Sequence, residues 1–368
     1  MAATRTPGRI ALYGATGYTG RLIAAELAGR EADFVLAGRN GKKLAALAAD
    51  LGGAETAAVP LDDREGMRAL LEPCAAVISC AGSPFVANGE PVVAAATESA
   101  THYLDTTGEQ PFMRTVFSRY GAAAEAAGVA AVTAMGFDYA PGDLIASLTA
   151  EGMGAVDDVS LAYAVESFGA SRGTTASAVE MLSGGDVEWR ERALVPGSPR
   201  VGRGRFVFPE PIGVQPMTRY PSGEPITVPR HIETRNVTTS LTALTTVPHP
   251  RLAGLAGLAR PLSMALRTPA RGLIDRAVAA LPEGPAPEAR KRSRWTIVCD
   301  VRLGTRSRRG IVSGTDVYGL TASAVVEGAQ RMSDADFDRA GALAPAQAFD
   351  PASFLDALPG VSYEVSER

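Results

Sequence analysis

At 368 residues, with 46% apolar and 21% charged side chains, the chain has an ordinary globular composition and length enough for two or three domains. Its formal charge of −4 argues against a general nucleic-acid binder. Lysine is almost absent, Lys42, Lys43 and Lys291 standing against 33 arginines, which excludes most lysine-based chemistry at the outset. Three scattered cysteines (Cys74, Cys80, Cys299) and three histidines (His102, His231, His249) form neither a CxxC pair nor a zinc-ligand spacing, so no metal is expected. The first residues lack a signal-peptide pattern and no run of about 18 apolar residues occurs, so the expectation is a cytoplasmic protein without a transmembrane segment.

Through residue 135, short β-type runs alternate with helix patterns, the signature of βαβ units and a parallel sheet. Strands are expected at 9–13, 34–37, 56–59, 75–80, 102–104 and 129–133. Between them, Asn40 can cap a helix whose Leu44, Leu47 and Leu51 share one face and which stops at Gly52 and Gly53. Another helix should run from about 109 to 127 and end at Gly128. Short connections and right-handed crossovers leave an α/β, Rossmann-type doubly wound sheet as the natural solution.

After GFDYAPGD (136–143) the rhythm changes to a second, α+β region. A strand is expected at 159–166, a helix at 174–182, and an irregular, strand-prone stretch at 188–246. From Arg294, inward Trp295, Ile297, Cys299, Val301 and Leu303 alternate with more polar positions, marking a half-buried strand. Residues 304–310 should turn it into a second strand at 311–318. A helix at 320–331, short helices and a strand at 362–365 follow, without internal repeats. Residues 251–281 are apolar, arginine-studded and broken by Pro261 and Pro269. They suit either helices packed over the second sheet, the favoured reading, or a membrane-surface or oligomer contact.

Gly14-Ala15-Thr16-Gly17-Tyr18-Thr19-Gly20 follows the first strand and opens the first helix. In that context Gly14 permits the tight turn, Gly17 lets backbone N–H groups approach a pyrophosphate, and Gly20 allows close helix–strand packing. The spacing is GxxGxxG, a departure from the generic fingerprint. Enzymes using NAD place an acid at the end of the second strand to bind the ribose 2′-OH. Here that strand ends in Gly38, Arg39 and Asn40, with Lys42 and Lys43 beyond, a cationic set that fits a 2′-phosphate and therefore NADP(H). Ser79, Cys80, Ala81 and Gly82 end the fourth strand, where small residues let a ribose and nicotinamide lie flat. Cys80 has no neighbouring base in sequence and reads as a small packing residue.

These motifs, with HYLDTTGE (102–109) and GFDYAPGDL (136–144), resemble the saccharopine dehydrogenase-like oxidoreductases, in particular their trans-acting enoyl reductase type. The likeness covers residues 10–144 well and resumes at 318–331 and 341–365. It implies an NADP-binding domain at 1–145 completed by 319–368, and an inserted substrate and dimerisation domain at 146–318. It also implies that Asp105, Thr106, Thr107 and Gly108 lie near the nicotinamide edge. The expected partners are a small-molecule substrate, free or carrier-tethered, and a second copy of the chain, a homodimer formed if the 251–281 helices or a hairpin edge pair across a two-fold.

Tyr120 is followed by Gly-Ala-Ala-Ala, so the Tyr-x-x-x-Lys pair of the short-chain dehydrogenases is missing. Reduction of an activated C=C or C=N bond asks for less acid catalysis, since an enolate needs only hydrogen bonds and a later proton. Candidate catalytic residues are Tyr103, Asp105 and Tyr139, each with an alternative reading as a packing, turn or cap residue. In the second region Glu166, Ser171 and Arg172 precede the 174–182 helix, and Arg172 suits either a clamp on a carboxylate or phosphate or, the favoured reading, a surface role. The basic 290–294 and 306–309 clusters suit either an acidic carrier protein or a solvated hairpin. The expected activity is an NADPH-dependent enoyl or imine reductase of an apolar polyketide or lipid intermediate. A saccharopine-type amino-acid dehydrogenase and a non-catalytic NADPH sensor are the alternatives.

Overall fold

The computed structural model describes residues 8–81, 84–182, 186–198, 204–243 and 271–368. The chain divides into two compact units: residues up to Ala140 with Tyr318–Phe349 and Ala357–Pro359, and Pro141–Val317 with Asp350–Asp356 and Gly360–Arg368.

The first unit is built on β1 (Ile10–Tyr13), β2 (Phe34–Gly38), β3 (Glu55–Ala58), β4 (Ala76–Ser79), β5 (His102–Asp105), β6 (Ala130–Val132) and, from far along the chain, β15 (Gly341–Leu343). They form one sheet in the order β15-β6-β5-β4-β1-β2-β3, every pair parallel. Successive residues of these short runs are buried on opposite faces. Ala11, Tyr13, Val35, Val77 and Tyr103 join one core, and Ile10, Leu12, Leu36, Ile78 and Leu104 are buried as completely. Apolar residues at every position are what a parallel sheet covered on both sides requires. The order reverses beside β1, which pairs with both β2 and β4. In an open α/β sheet that reversal opens a ligand crevice beyond the carboxyl ends of the strands.

The helices follow their end signals. In Gly41–Asp50, Asn40 Oδ1 accepts from Lys43 N at 3.0 Å, and Leu44 and Ala48 face the core. Asp63 likewise caps Arg64–Leu71 through Gly66 N at 2.9 Å, burying Met67, Leu70 and Leu71; each such side chain contributes about 1.5–3 kcal/mol. The expected helix over 109–127 is interrupted: Gln110–Thr115 and Gly121–Ala126 flank a π turn at Val116–Tyr120.

The second unit carries β7 (Val156–Glu166), β8 (Val187–Arg190), β9 (Ala193–Pro196), β10 (Gly204–Val207), β11 (Val214–Arg219), β12 (Thr234–Thr242), β13 (Arg294–Leu303), β14 (Arg306–Thr315) and β16 (Ser362–Glu367). The path is β10-β11-β12-β7-β13-β14-β16, with β8 pairing β12 and β9. Only β12 and β7 run parallel.

Three expectations change. The turn at 304–310 contracts to Gly304 and Thr305, because Leu303 already pairs with Arg306; Gly304 supplies the left-handed residue, at φ 57. The basic residues beyond it are therefore strand residues, two of them with carboxylate partners: Arg309 grips Asp300 at 2.5 and 2.6 Å, and Arg308 reaches Glu367 at 2.6 Å. The last strand, placed by sequence in the first sheet, pairs instead with β14, where Arg308 lies opposite Glu367. Only β15 of the C-terminal segment enters the first sheet. Of residues 251–281, those from 251 to 270 lie outside the described residues. The rest includes the helix Arg271–Ala279, tied to the helix Arg172–Leu182 by Arg271 and Glu180 at 2.9 Å. Among the described residues no helix is long and apolar enough to cross a membrane.

Candidate active site

The turn after β1 is shaped by backbone proximity. Gly14 has φ 86, and a Cβ there would lie 2.6 Å from Ala81 N, so the turn rests directly on the chain leaving β4. A Cβ on Gly20 would overlap the carbonyl oxygens of Gly14 and Ala15, which is the close helix–strand approach expected of the third glycine. Gly17 differs: it is exposed, caps the helix Tyr18–Gly29, and has only Gly14 O, at 3.4 Å, near its absent side chain. Space and helix N–H groups thus coincide where a pyrophosphate needs them. Around the turn, Arg21 donates to Thr16 O at 2.8 Å, the Tyr18 ring meets Tyr318 edge-on at 5.1 Å, and Thr19 is half-buried.

At the end of β2, Arg39 and Lys42 are exposed and, among the described residues, have no ion-pair partner. Asn40 uses its side chain as the helix cap. No carboxylate replaces the missing ribose-binding acid in Gly38, Arg39 and Asn40. A free guanidinium and ammonium beside an open glycine turn fit a phosphorylated adenosine ribose.

Ser79 ends β4 and pairs in register with Asp105, the last residue of β5. Asp105 is fully buried. Its Oδ1 accepts from Thr107 N at 2.9 Å, Ala134 N at 2.9 Å and Thr133 Oγ1 at 3.1 Å. The N–H of Ala134 is aimed there by a left-handed backbone, φ 63. Burial nonetheless outweighs these bonds and pushes the carboxyl up to about 6. Asp105 Oδ2, Tyr103 OH and Ser79 Oγ are all buried on one side of the sheet without a well-formed hydrogen bond among them. Burial, with Asp105 beside it, holds the Tyr103 hydroxyl well above the ordinary tyrosine range and so protonated.

Tyr139 is also buried, and its hydroxyl donates to Gly108 O at 2.6 Å, committing its proton to the backbone of the 105–109 segment. Thr106 Oγ1 lies 3.9 Å from Cys80 Sγ, and burial pushes that thiol up to about 12, leaving no thiolate nucleophile. Ala81 is half-buried, while Gly82 lies outside the described residues. His102 serves packing: Nδ1 accepts from Ala130 N at 3.0 Å and its ring meets Phe337 edge-on.

In the second unit Arg172 spends its guanidinium on Leu281 O, at 2.9 and 2.6 Å, and Ser171 Oγ accepts from Thr174 N at the helix start. Glu166 is exposed at the end of β7. Two polar groupings escaped sequence reasoning. Glu109, wholly buried, binds backbone N–H groups of Phe85 and Val86. Within the second unit the Tyr163 hydroxyl donates to Glu224, and Asp143 Oδ1 lies 2.9 Å from His231 Nε2. Burial pushes Glu224 up to about 8. These partners are 61 and 88 positions apart, and no spacing rule links them.

Comparisons with known proteins bear on the family and the fold. The family model for the saccharopine dehydrogenase NADP binding domain matches residues 10–132. A Mycobacterium tuberculosis protein whose name places it among the trans-acting enoyl reductases is 30% identical over 423 aligned residues, spanning 100% of this chain and 99% of its own. A trans-acting enoyl reductase of Mycobacterium bovis is 38% identical over 141 residues, 37% of this chain and 34% of its own. Saccharopine dehydrogenase (L-Glu forming) from Saccharomyces cerevisiae superposes with a TM-score of 0.61 at 14% identity, covering 98% of this chain and 100% of that one, a likeness of fold.

Proposed function

Because the chain belongs to the saccharopine dehydrogenase-like oxidoreductases, in their trans-acting enoyl reductase type, and is an NADP(H)-dependent reductase, we propose that it reduces an activated C=C bond of an apolar acyl substrate, a polyketide or lipid intermediate presented as a thioester. Gly14, Thr16, Gly17, Tyr18, Thr19 and Gly20 would hold the pyrophosphate, Arg39 and Lys42 the 2′-phosphate, and Ser79, Cys80, Ala81, Asp105 and Thr106 the nicotinamide end. When bound, NADPH supplies a hydride to the β carbon of the substrate.

The observation that carries this reading is the kind of polar group at the ends of β4 and β5. The Tyr139 proton is held by Gly108 O, Tyr103 is buried beside Asp105, and the neighbouring lysines Lys42 and Lys43 belong to the β2 end. Such a set offers hydrogen bonds and a carboxylate that orients them, without the lysine-lowered tyrosine that carbonyl reduction employs. An enolate asks for that and no more: donors to share its charge, and a proton delivered afterwards. Tyr103, buried beside Asp105, is the assigned donor, while Tyr139, whose proton Gly108 O holds, supports the 105–109 segment.

The test is to follow NADPH absorbance with 2-enoyl thioesters, cyclic imines, and an amino acid paired with an aldehyde. Oxidation driven by the enoyl thioester supports the reading. Oxidation by the imine or the amine–aldehyde pair alone would move the activity to C=N chemistry, and tight NADPH binding without turnover of any of them would make the chain a sensor.

A further inference from the structure

Every second residue from Asp105 to Glu109 passes on a hydrogen bond. Asp105 Oδ1 accepts from Thr107 N at 2.9 Å, and Thr107 Oγ1 accepts from Glu109 N at 3.1 Å. Glu109 Oε1 and Oε2 then accept from Phe85 N and Val86 N, each at 2.9 Å. The series starts at the last residue of β5 and ends on the chain that continues from β4, more than twenty positions earlier. Thr107 and Glu109 are 1% and 0% exposed.

A buried carboxylate is costly, and a short turn such as Phe85–Asn88 is ordinarily capped by its own preceding residue. Here that residue is Pro84, which makes no side-chain cap bond, and Glu109 does so from a distance. Two charge-assisted bonds to backbone N–H groups offset the burial and fix one strand end against the next. The tethered segment is also wedged by packing. The Phe85 ring lies 5.5 Å from Phe112, and Gly89 leaves no room for a Cβ beside that ring. Upstream, Ala81 N abuts the Gly14 turn. Glu109 therefore ties the exit of β5 to the chain that follows β4.

We propose that Glu109 is a positioning residue for the nicotinamide half of the cofactor: by holding Phe85 and Val86 it sets the backbone that leaves β4, and with it the place of the nicotinamide ribose. This rests on the site assigned above and adds what holds that site's floor in register. The adenosine half is assigned to the Gly14 turn and Arg39, whereas the bonds described for Glu109 go to Phe85 and Val86 and to the Thr107 hydroxyl, so a defect at Glu109 should be felt at the nicotinamide end of the dinucleotide.

The test compares NADPH with 2′,5′-ADP, which lacks the nicotinamide half, by calorimetry on wild type and Glu109→Gln. The amide keeps the shape but offers one acceptor where two N–H groups need binding. Expected is NADPH affinity lowered about tenfold, the scale of one charge-assisted bond, with 2′,5′-ADP unchanged. Amide exchange at Phe85 and Val86 should accelerate in the cofactor-free protein. Thr107→Val, which cuts the series one step earlier and keeps the side-chain shape, should give the same pattern in weaker form and serves if Glu109→Gln does not fold. Equal losses for both ligands, or none for either, overturn the proposal. If wild type binds NADPH but reduces no enoyl thioester, the catalytic reading fails, while the two-ligand comparison still decides the role of Glu109.

Discussion

The proposed grip on the 2′-phosphate rests on the guanidinium of Arg39. It is exposed at the end of β2 where no carboxylate stands, and among the described residues nothing pairs with it. Replacing it with alanine should weaken NADPH binding by about 1–2 kcal/mol, the worth of a charge-assisted hydrogen bond, and leave NADH nearly untouched. Titration of the variant with both cofactors checks this, and equal losses would remove the 2′-phosphate from the assignment. Glu224 makes a different prediction, about pH. Its carboxyl is pushed from 4.5 to about 8 by burial, so the folded state holds the proton more tightly than the unfolded chain does. Its contribution is complete below about 4.5 and is lost as pH rises through about 8. Each tenfold gain in proton affinity is worth about 1.4 kcal/mol. Urea midpoints of wild type should therefore fall across that window, while Glu224→Gln should remove most of the slope. The position of Arg39 is legible in sequence because a strand end without an acid marks it, and the structure leaves it exposed there. Glu224 is not, since its burial depends on Tyr163 and on chain that no local pattern connects to it.

At the scale of elements, the glycine turn contains two positions that look alike in sequence and differ in kind. A Cβ at Gly20 would overlap carbonyl oxygens of the preceding strand exit, whereas at Gly17 it would find only one atom, at 3.4 Å. Gly20→Ala should cost about 1–3 kcal/mol of stability through overpacking. Gly17→Ala should leave the melting temperature close to wild type yet weaken NADPH about tenfold, by standing where the phosphate approaches the helix N–H groups. Thermal melts and titrations of the two variants separate the roles. A Gly17→Ala protein that melts early and binds normally would reverse them. Most of the early strands were readable because parallel strands buried on both faces are written as short apolar runs, whereas the edge strand β3 is largely exposed. The π turn at Val116–Tyr120 has no such signature, and residues 109–127 read as one helix. Glu109 stood inside a recognised motif without a role, because its partners at Phe85 and Val86 are backbone atoms, which leave no mark on the sequence.

Across the whole molecule, the two sheets take strands from both ends of the chain. β15 (Gly341–Leu343) joins the first sheet, whereas β16 (Ser362–Glu367), further along the same C-terminal segment, pairs with β14 in the second. The sequence pattern marks a strand at 362–365 but cannot name its sheet; what decides that is the cross-strand match of Arg308 with Glu367 and of Ser313 with Ser362. The placement of β15 sets a timetable for synthesis. When β6 leaves the ribosome its outer edge has no neighbour, and the strand that will cover it lies roughly 200 residues downstream, about 10–40 s of translation away. For that interval the growing chain carries an open parallel edge, the kind of surface that invites pairing with the wrong chain. β6 is only three residues long, Ala130–Val132. An edge that short offers a stray strand few hydrogen bonds, so the vacancy can wait for its intended occupant.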